Sequence, residues 1–316
     1  MEKTAKYENL IRQIGQIHST SSGQSNLLFD EPLSKHTTIK IGGPADVFYN
    51  AQNTFDFLNI IITCRELEIP FFILGGGSNL IISDMGFRGV VIKNSDSNVK
   101  KINDQCILAT CGTSNSELVK NLIDFELSGL EFLAGIPGTI GGAVKKNAHF
   151  RHPGDQQNQL VHDFIEKVFI LTSENKLEWI DKSQIKAENK AIIVAVIFKL
   201  NPSSKELIKK SIKEQLSWRA NKIPKQPTLP NAGCIFSNTA NPDNFPTGKM
   251  IDLCGLMGTR IGDVEISKDH ANWIVNLGNG KASDMMQLIK ICKKEVKEKF
   301  GVDLKLEVDI VKTDKY

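Results

Sequence analysis

Gly75-Gly76-Gly77-Ser78-Asn79 is the stretch that decides how this chain is read. It follows the apolar run Pro70-Phe71-Phe72-Ile73-Leu74 and precedes a second one, Leu80-Ile81-Ile82. An apolar run ending in three glycines reads as a buried strand opening into a tight turn. Glycine tolerates positive φ and lets backbone come close to a bound group. Successive N–H groups in such a turn can form an anion-binding nest. Taken alone, the pentapeptide fits a glycine turn without a ligand equally well. It is not the dinucleotide fingerprint, because Leu80 stands where that motif needs its last glycine, and no Gly-Lys-Ser/Thr follows to make a P-loop.

Outward from this turn, Asp46–Ala51 reads as a strand, and Asn53-Thr54 can cap a helix carrying Leu58, Ile61, Ile62 and Leu67. With the strand at 70–74 this makes a β-α-β unit, and Gly89–Lys93 supplies a further strand. The glycine turn then lies at a strand end, where α/β sheets bind ligands. Ser114-Asn-Ser-Glu117 is a capping box for a helix with Leu118, Leu122 and Phe125 on one face, ending near Gly129. A second glycine cluster, Gly135-Ile-Pro-Gly138-Thr139-Ile-Gly141-Gly142-Ala143, follows about 60 residues after the first. Two such loops suggest one extended ligand containing a pyrophosphate. Phe164–Leu171, Leu177–Ile180 and Ala191–Leu200 read as strands of a second subdomain.

Asn201-Pro202 breaks the chain, and Ser203-Ser-Lys-Glu206 opens a helix with Ile208, Ile212 and Leu216 on one face. A last helix over about 283–300 points Met285, Leu288, Ile289, Cys292 and Val296 inward, with Gly301 as its C-cap. Methionines at that spacing are core filler. Leu304–Val311 reads as a final strand. The N-terminal 30 residues read as a helix around 7–17 followed by a loose linker.

At 316 residues, the chain can build two or three domains with real cores. A net charge of +3 with dispersed lysines argues against nucleic acid as a partner. No run of 18 apolar residues predicts a transmembrane helix, and the first residues lack an apolar signal core. Six cysteines, at 64, 106, 111, 234, 254 and 292, form no C-x-x-C pair. Neither a metal site nor a disulfide framework is expected, and a reduced cytoplasmic compartment fits.

Together with Pro32-Leu33 and Thr37-Thr38-Ile39-Lys40-Ile41-Gly42-Gly43-Pro44-Ala45-Asp46, the two glycine loops resemble the UDP-N-acetylenolpyruvoylglucosamine reductase family from about Leu33 to Val311. A second signature supports the resemblance: Arg219, Lys222, Lys225-Gln226-Pro227 and Asn231-Ala-Gly-Cys234-Ile-Phe236-Ser-Asn238. Gly255-Leu256, Arg260-Ile-Gly262 and Ser267-Lys-Asp-His270-Ala-Asn272-Trp273 extend it. The resemblance implies an α+β fold: a two-subdomain FAD-binding module of the vanillyl-alcohol-oxidase (PCMH) type at 31–200 (subdomains 31–94 and 95–200). A C-terminal α/β substrate domain at 201–300 and a strand at 301–316 returning to the first domain complete it. It implies FAD held by Gly75, Gly76, Gly77, Ser78, Asn79, Gly138, Thr139, Gly141 and Gly142, NADPH as co-substrate, and a UDP-sugar substrate contacted by Lys225, Asn238 and Arg219. The expected protein is a cytoplasmic monomer that reduces UDP-N-acetylglucosamine enolpyruvate to UDP-N-acetylmuramate for peptidoglycan synthesis.

The resemblance makes Cys234 the acid that protonates the substrate; a thiol of reference pKa about 8.5 is mostly protonated at neutral pH. A lone cysteine is otherwise a buried, inert residue. It makes Glu307 the second catalytic group, facing the substrate carboxylate with a raised pKa; by strand period alone Glu307 sits on a polar, solvent-facing edge. His270 reads as structural or substrate-side. Three departures stand out. Asn147-Ala-His-Phe-Arg151-His152 replaces the family's Asn-Ala-Gly-Ala-Tyr-Gly, in a loop about six residues longer than the family's. Phe236-Ser237-Asn238-Thr239 replaces its Phe-Lys-Asn-Pro. The Tyr-Arg-x-Ser segment expected before Ala191 is missing, and no arginine occurs between Arg151 and Arg219. Arg151 is the expected substitute for the missing catalytic cation, with Lys182, Lys186 and Lys190 as alternatives. A flavoprotein of the same fold with another substrate, or a flavin-binding protein without turnover, are the rival readings.

Overall fold

The computed structural model describes residues 7–18, 26–150, 159–185, 191–221, 225–238, 241 and 245–313. The chain divides into two compact units, one formed by residues 1–27, 49–76 and 92–219, the other by 28–48, 77–91 and 220–316. No helix among the described residues is long and apolar enough to cross a membrane.

In the first unit, Asn53 caps the helix Thr54–Glu66 by accepting the Asp56 N–H, as its sequence predicts, and the strand Phe71–Leu74 follows. The helix Glu8–His18 also belongs here, with Tyr7, Leu10 and Ile14 buried. The larger part of the unit is an antiparallel five-stranded sheet. Its order is Leu177–Asp181, Ile165–Leu171, Ile192–Lys199, Cys106–Thr110, Val99–Lys101. The last two strands carry no strong pattern of their own and were not expected from sequence. The side chains of Ile107, Val168, Ile170, Val196 and Phe198 pack with the helix Asn115–Phe125 into one core. Ser114 caps that helix as expected, but the helix stops at Phe125, where Glu126 adopts φ +57; Gly129 is not its cap. The helix Lys205–Asn221 also joins this core rather than opening a separate one: Ile208 is fully buried there and Ile212 half-buried, whereas Leu216 is 46% exposed, its tip against Gly135. Ser204, one residue later than expected, receives the Leu207 N–H at its start.

In the second unit, four antiparallel strands run in the order Asn231–Cys234, Trp273–Asn276, Val264–Ile266, Arg260–Ile261. The helix Ala282–Phe300 buries Met285, Leu288, Ile289, Cys292 and Val296 as its period requires, and Gly301 ends it at φ +68. Asp84 accepts the Ala282 and Ser283 N–H groups at 2.7 and 2.9 Å and so caps this helix from a distant point in the chain. The tail is a regular strand only over Asp309–Val311, shorter than its alternation suggests, and pairs in parallel with Leu80–Ile82. Residues 305–307 are instead bonded to 235–237, with a single bridge between Phe236 and Leu306.

Candidate active site

The first half of the glycine turn lies in the first unit, against the second glycine cluster. A Cβ placed on Gly76 would stand 2.6 Å from Gly138 Cα, and one on Gly75 2.8 Å from Thr139 Oγ1. Only glycine permits backbone to meet backbone this closely. Thr139 caps the short helix Ile140–Lys145, and Gly141 donates its N–H to Cys111 O. Gly75, Thr139, Gly141 and Gly142 border a cavity of about 480 Å³ whose far wall is the apolar face of the five-stranded sheet, with Val168, Ile170 and Ile193. Its polar lining is Asn94, Lys145, Lys146, Asn147, His162 and Gln184. That volume falls within the range of about 300–1,000 Å³ typical of ligand and cofactor cavities. An apolar wall suits a flat aromatic ring, and a glycine rim beside two lysines suits phosphate.

Cys111 also borders the cavity. Its thiol accepts a hydrogen bond from Asn94 Nδ2 at 3.0 Å, and burial pushes it up to about 12, so it stays protonated and chemically quiet. His162 donates from Nε2 to Val144 O at 2.7 Å, and its N–H bonds Asn147 Oδ1, which ties the end of the 147–162 loop to the cavity rim. Sequence reasoning missed Asn94, Lys145, Lys146, His162 and Gln184 as lining residues, because their common wall forms only once the sheet is assembled.

The second half of the turn lies in the second unit. Gly77 is buried at φ +64, and a Cβ added to it would collide with His36 O, so the position is closed to any side chain. Its carbonyl accepts the Thr38 N–H at 3.1 Å. Asn79 donates from its side chain to Glu307 O at 3.0 Å, and its own carbonyl accepts the Asp309 N–H. The backbone around Glu307 is therefore fastened to the glycine turn.

Cys234 ends the strand Asn231–Cys234 and pairs with Trp273, while Asn231 pairs with Val275. Between these pairs, two residues on one strand, Ala232 and Gly233, oppose the single Ile274 on the other, so the strand bulges at Ala232-Gly233, with Gly233 at φ +77. Such bulges re-aim the side chain beside them. Asn272, 5% exposed, fixes the residues that follow: its carbonyl takes the Ile235 N–H, and its side chain both accepts from Phe236 N and donates to Phe236 O. Glu307 N–H donates to Ile235 O at 2.9 Å. This bond brings Cys234 and Glu307 onto neighbouring backbone segments, a pairing that nothing in the local sequence reveals. Cys234 is half-buried and Glu307 exposed. None of the six cysteines is in a disulfide, and among the described residues no cluster could hold a metal.

The remaining predicted residues are placed as follows. Lys225 is exposed. Asn238 is exposed and accepts the Thr247 N–H at 3.0 Å, so one side of its amide serves the start of the helix Thr247–Leu253. Arg219 donates to Phe132 O at 3.1 Å and lies over the Phe150 ring, its guanidinium 4.9 Å from the centroid; burial lowers its pKa. His270 accepts the Asn272 N–H, which supports the structural half of its reading. Lys182 is exposed. Arg151, His152, Lys186, Lys190, Lys222 and Thr239 lie outside the described residues.

Two family models match this chain: one described as an FAD binding domain over residues 45–181, and one as the UDP-N-acetylenolpyruvoylglucosamine reductase C-terminal domain over residues 225–311. A UDP-N-acetylenolpyruvoylglucosamine reductase from Caldanaerobacter subterraneus subsp. tengcongensis is 36% identical over 296 residues, covering 91% of this chain and 94% of that protein. One from Clostridium botulinum is 34% identical over 314 residues, covering 97% and 98%. Among solved structures, the UDP-N-acetylenolpyruvylglucosamine reductase of Thermus caldophilus superposes with a TM-score of 0.72 at 29% identity, covering 91% of this chain and 99% of that one.

Proposed function

The chain belongs to the UDP-N-acetylenolpyruvoylglucosamine reductase family, and from that premise we propose that it reduces UDP-N-acetylglucosamine enolpyruvate to UDP-N-acetylmuramate, with FAD as cofactor and NADPH as reductant. The observation that supports this reading beyond family membership is the Glu307–Ile235 bond, which puts the backbone segments of Cys234 and Glu307 next to each other.

The residues present fit FAD. Gly75 and Gly76 let the first loop close on Gly138 and Thr139. Gly142 leaves the cavity rim open, with no atom nearer its missing Cβ than Thr139 Oγ1 at 3.8 Å, so that a pyrophosphate can approach backbone N–H groups there, and the apolar wall of the cavity suits a ring system. Gly77, Ser78 and Asn79 continue the cofactor loop. Once bound and reduced by the hydride of NADPH, the flavin would supply the hydride that the vinyl terminus of the substrate takes up.

The chain's own residues supply the proton and the charge stabilisation. As negative charge grows toward the substrate carboxylate, the Cys234 Sγ–H gives its proton to the carbon adjacent to that carboxylate. The thiolate left behind regains a proton from solvent, so the substrate gains one hydride and one proton. Glu307 shares a proton with the substrate carboxylate and so favours the charged intermediate. Lys225 holds the UDP diphosphate as a point charge, and the Asn238 amide offers its remaining side to the same moiety. Arg219, held on Phe132 O and Phe150, completes the basic stretch that precedes Lys225. Arg151 is assigned the cation that the missing Tyr-Arg-x-Ser segment would have supplied. A reaction that draws on NADPH and a nucleotide sugar supports a cytoplasmic location.

One absorbance trace tests the reading. Purified protein should show a flavin band that NADPH bleaches and UDP-N-acetylglucosamine enolpyruvate restores. A band bleached by NADPH but not restored would point to a different substrate, and a band untouched by NADPH would reduce the protein to a flavin binder.

A further inference from the structure

The bulge before Cys234 leaves a question of aim. A bulged strand bends, and the direction of the following side chain depends on what holds the extra residue. The contacts of Asn231 answer it. Its side chain braces the loop before it, donating to Pro227 O and Leu229 O, and accepts the Gly233 N–H at 3.1 Å. Its carbonyl accepts the Thr38 hydroxyl at 2.7 Å, a bond across 193 residues of chain. Thr38 also donates its backbone N–H to Gly77 O. The Thr38 hydroxyl lies 3.4 Å from that same carbonyl, but it has one proton, and the shorter contact takes it.

Thr38 thus stands between the buried, positive-φ glycine of the cofactor loop and Asn231, the residue that precedes the bulge leading to Cys234. From Gly77 the connection continues through Asn79 to Glu307 O, from Glu307 N–H to Ile235 O, and back along the chain to Cys234. These bonds close a ring through the glycine loop, the bulge and the Glu307 segment. Asn272 secures the side of Cys234 that follows it. Thr38 is the part of the ring that secures the side before it.

We propose that Thr38 is a positioning residue for proton transfer: its hydroxyl pins the Asn231 carbonyl, and so sets the direction in which the bulge presents Cys234. The inference rests on the reading of Cys234 as the acid. Thr38 touches neither the substrate nor the transferred proton. Its effect falls on the substrate half-reaction, because a proton donor displaced by an ångström loses rate steeply.

The test uses full-length protein loaded with FAD, with Thr38→Val, Thr38→Ser and Cys234→Ala measured side by side. Thr38→Val keeps the shape and removes the hydroxyl. It should retain flavin at wild-type stoichiometry and be reduced by NADPH at the wild-type rate. Its reoxidation by the enolpyruvyl substrate should slow by about tenfold or more, with substrate KM within about threefold, since binding contacts are untouched. Amide hydrogen exchange should quicken in residues 231–238 of Thr38→Val and not in the helix Ala282–Phe300. Thr38→Ser, which keeps the hydroxyl, should reoxidise within about threefold of wild type.

Reoxidation of Thr38→Val at the wild-type rate, while Cys234→Ala is slow, overturns the inference and leaves the assignment of Cys234 standing. Loss of flavin from Thr38→Val also overturns it and makes Thr38 part of the cofactor cradle. If Thr38→Val does not fold, Thr38→Ser decides: slow reoxidation with flavin retained shows that the hydroxyl is not what matters. Normal reoxidation in Cys234→Ala removes the acid itself, which is a failure of the functional reading and not of the Thr38 geometry.

Discussion

Replacing Gly76 by alanine tests whether the two glycine loops act as one cradle. The added methyl would stand 2.6 Å from Gly138 Cα and 3.3 Å from its N and C atoms. Carbon atoms settle at about 3.5–4.0 Å, so the two loops must part by about 1 Å. Both sides are backbone, so no side chain can turn away, and overpacking of this kind costs about 1–3 kcal/mol. A cofactor that touches both loops loses that energy in affinity, about tenfold for each 1.4 kcal/mol. Gly76→Ala should therefore bind FAD about 10- to 100-fold more weakly and melt earlier without cofactor. Gly142→Ala is the informative partner. Gly142 borders the cavity from within the helix Ile140–Lys145, and the nearest atom to its added methyl is Thr139 Oγ1 at 3.8 Å. Alanine favours a helix over glycine by about 1 kcal/mol, so the apoprotein should gain stability while FAD affinity falls. Titration of apoprotein with FAD, followed by flavin fluorescence, and melts with and without cofactor read both quantities. Wild-type FAD affinity in Gly76→Ala would refute the shared cradle.

Other predictions concern the second unit and the sequence departures. Burial is the largest single influence on Asp84 and raises its pKa, but hydrogen bonds from the Ser283 and Ala282 N–H groups, with Lys281 nearby, outweigh it and leave the pKa lowered. A lowered folded pKa means the stability Asp84 contributes is complete above the unfolded value of about 3.9 and is lost as pH falls through the folded one. Asp84→Asn, which keeps an amide acceptor and removes the charge, should cost about 0.3–1 kcal/mol at pH 7, toward the low end because Asp84 is exposed and screened. That difference should vanish below the folded pKa; a gap that persists in acid melts would contradict the charge-based cap. Arg151→Ala should slow substrate-driven reoxidation more than about tenfold, within the range of lost electrostatic stabilisation, and spare reduction by NADPH. A wild-type reoxidation rate would move the search to Lys182, Lys186 and Lys190.

The sequence made the local elements legible where their signals are chemical. Asn53 and Ser114 cap the helices they precede, Gly301 ends the last helix, and every residue expected on the inner face of 282–300 is buried. The glycine clusters announced a close approach of backbone, and the structure puts Gly76 against Gly138. Features made by distant pairing were not legible. The strand Cys106–Thr110 acquires its identity from Ile192–Lys199 across the sheet. Alternation over 304–311 suggested one strand, but residues 305–307 turn their hydrogen bonds to 235–237 and only Asp309–Val311 pairs with Leu80–Ile82. Leu216 fits a helical stripe yet stays 46% exposed, because its tip lies over the turn at Gly135 and not in the core that Ile208, Ile212 and Trp218 reach. Nothing in the 37–46 stretch marks Thr38 for a role, since its partner Asn231 is 193 residues away.

The most direct test of the central claim separates the two half-reactions of Cys234→Ala in a stopped-flow spectrometer. The account predicts that NADPH bleaches the flavin of this variant at the wild-type rate, while its return on adding UDP-N-acetylglucosamine enolpyruvate slows by about 10²–10⁴-fold, the range for a lost general acid. Cys234→Ser should recover part of that loss. A return slowed by less than about threefold, far below that range, would contradict the account and make Cys234 a structural residue of its strand.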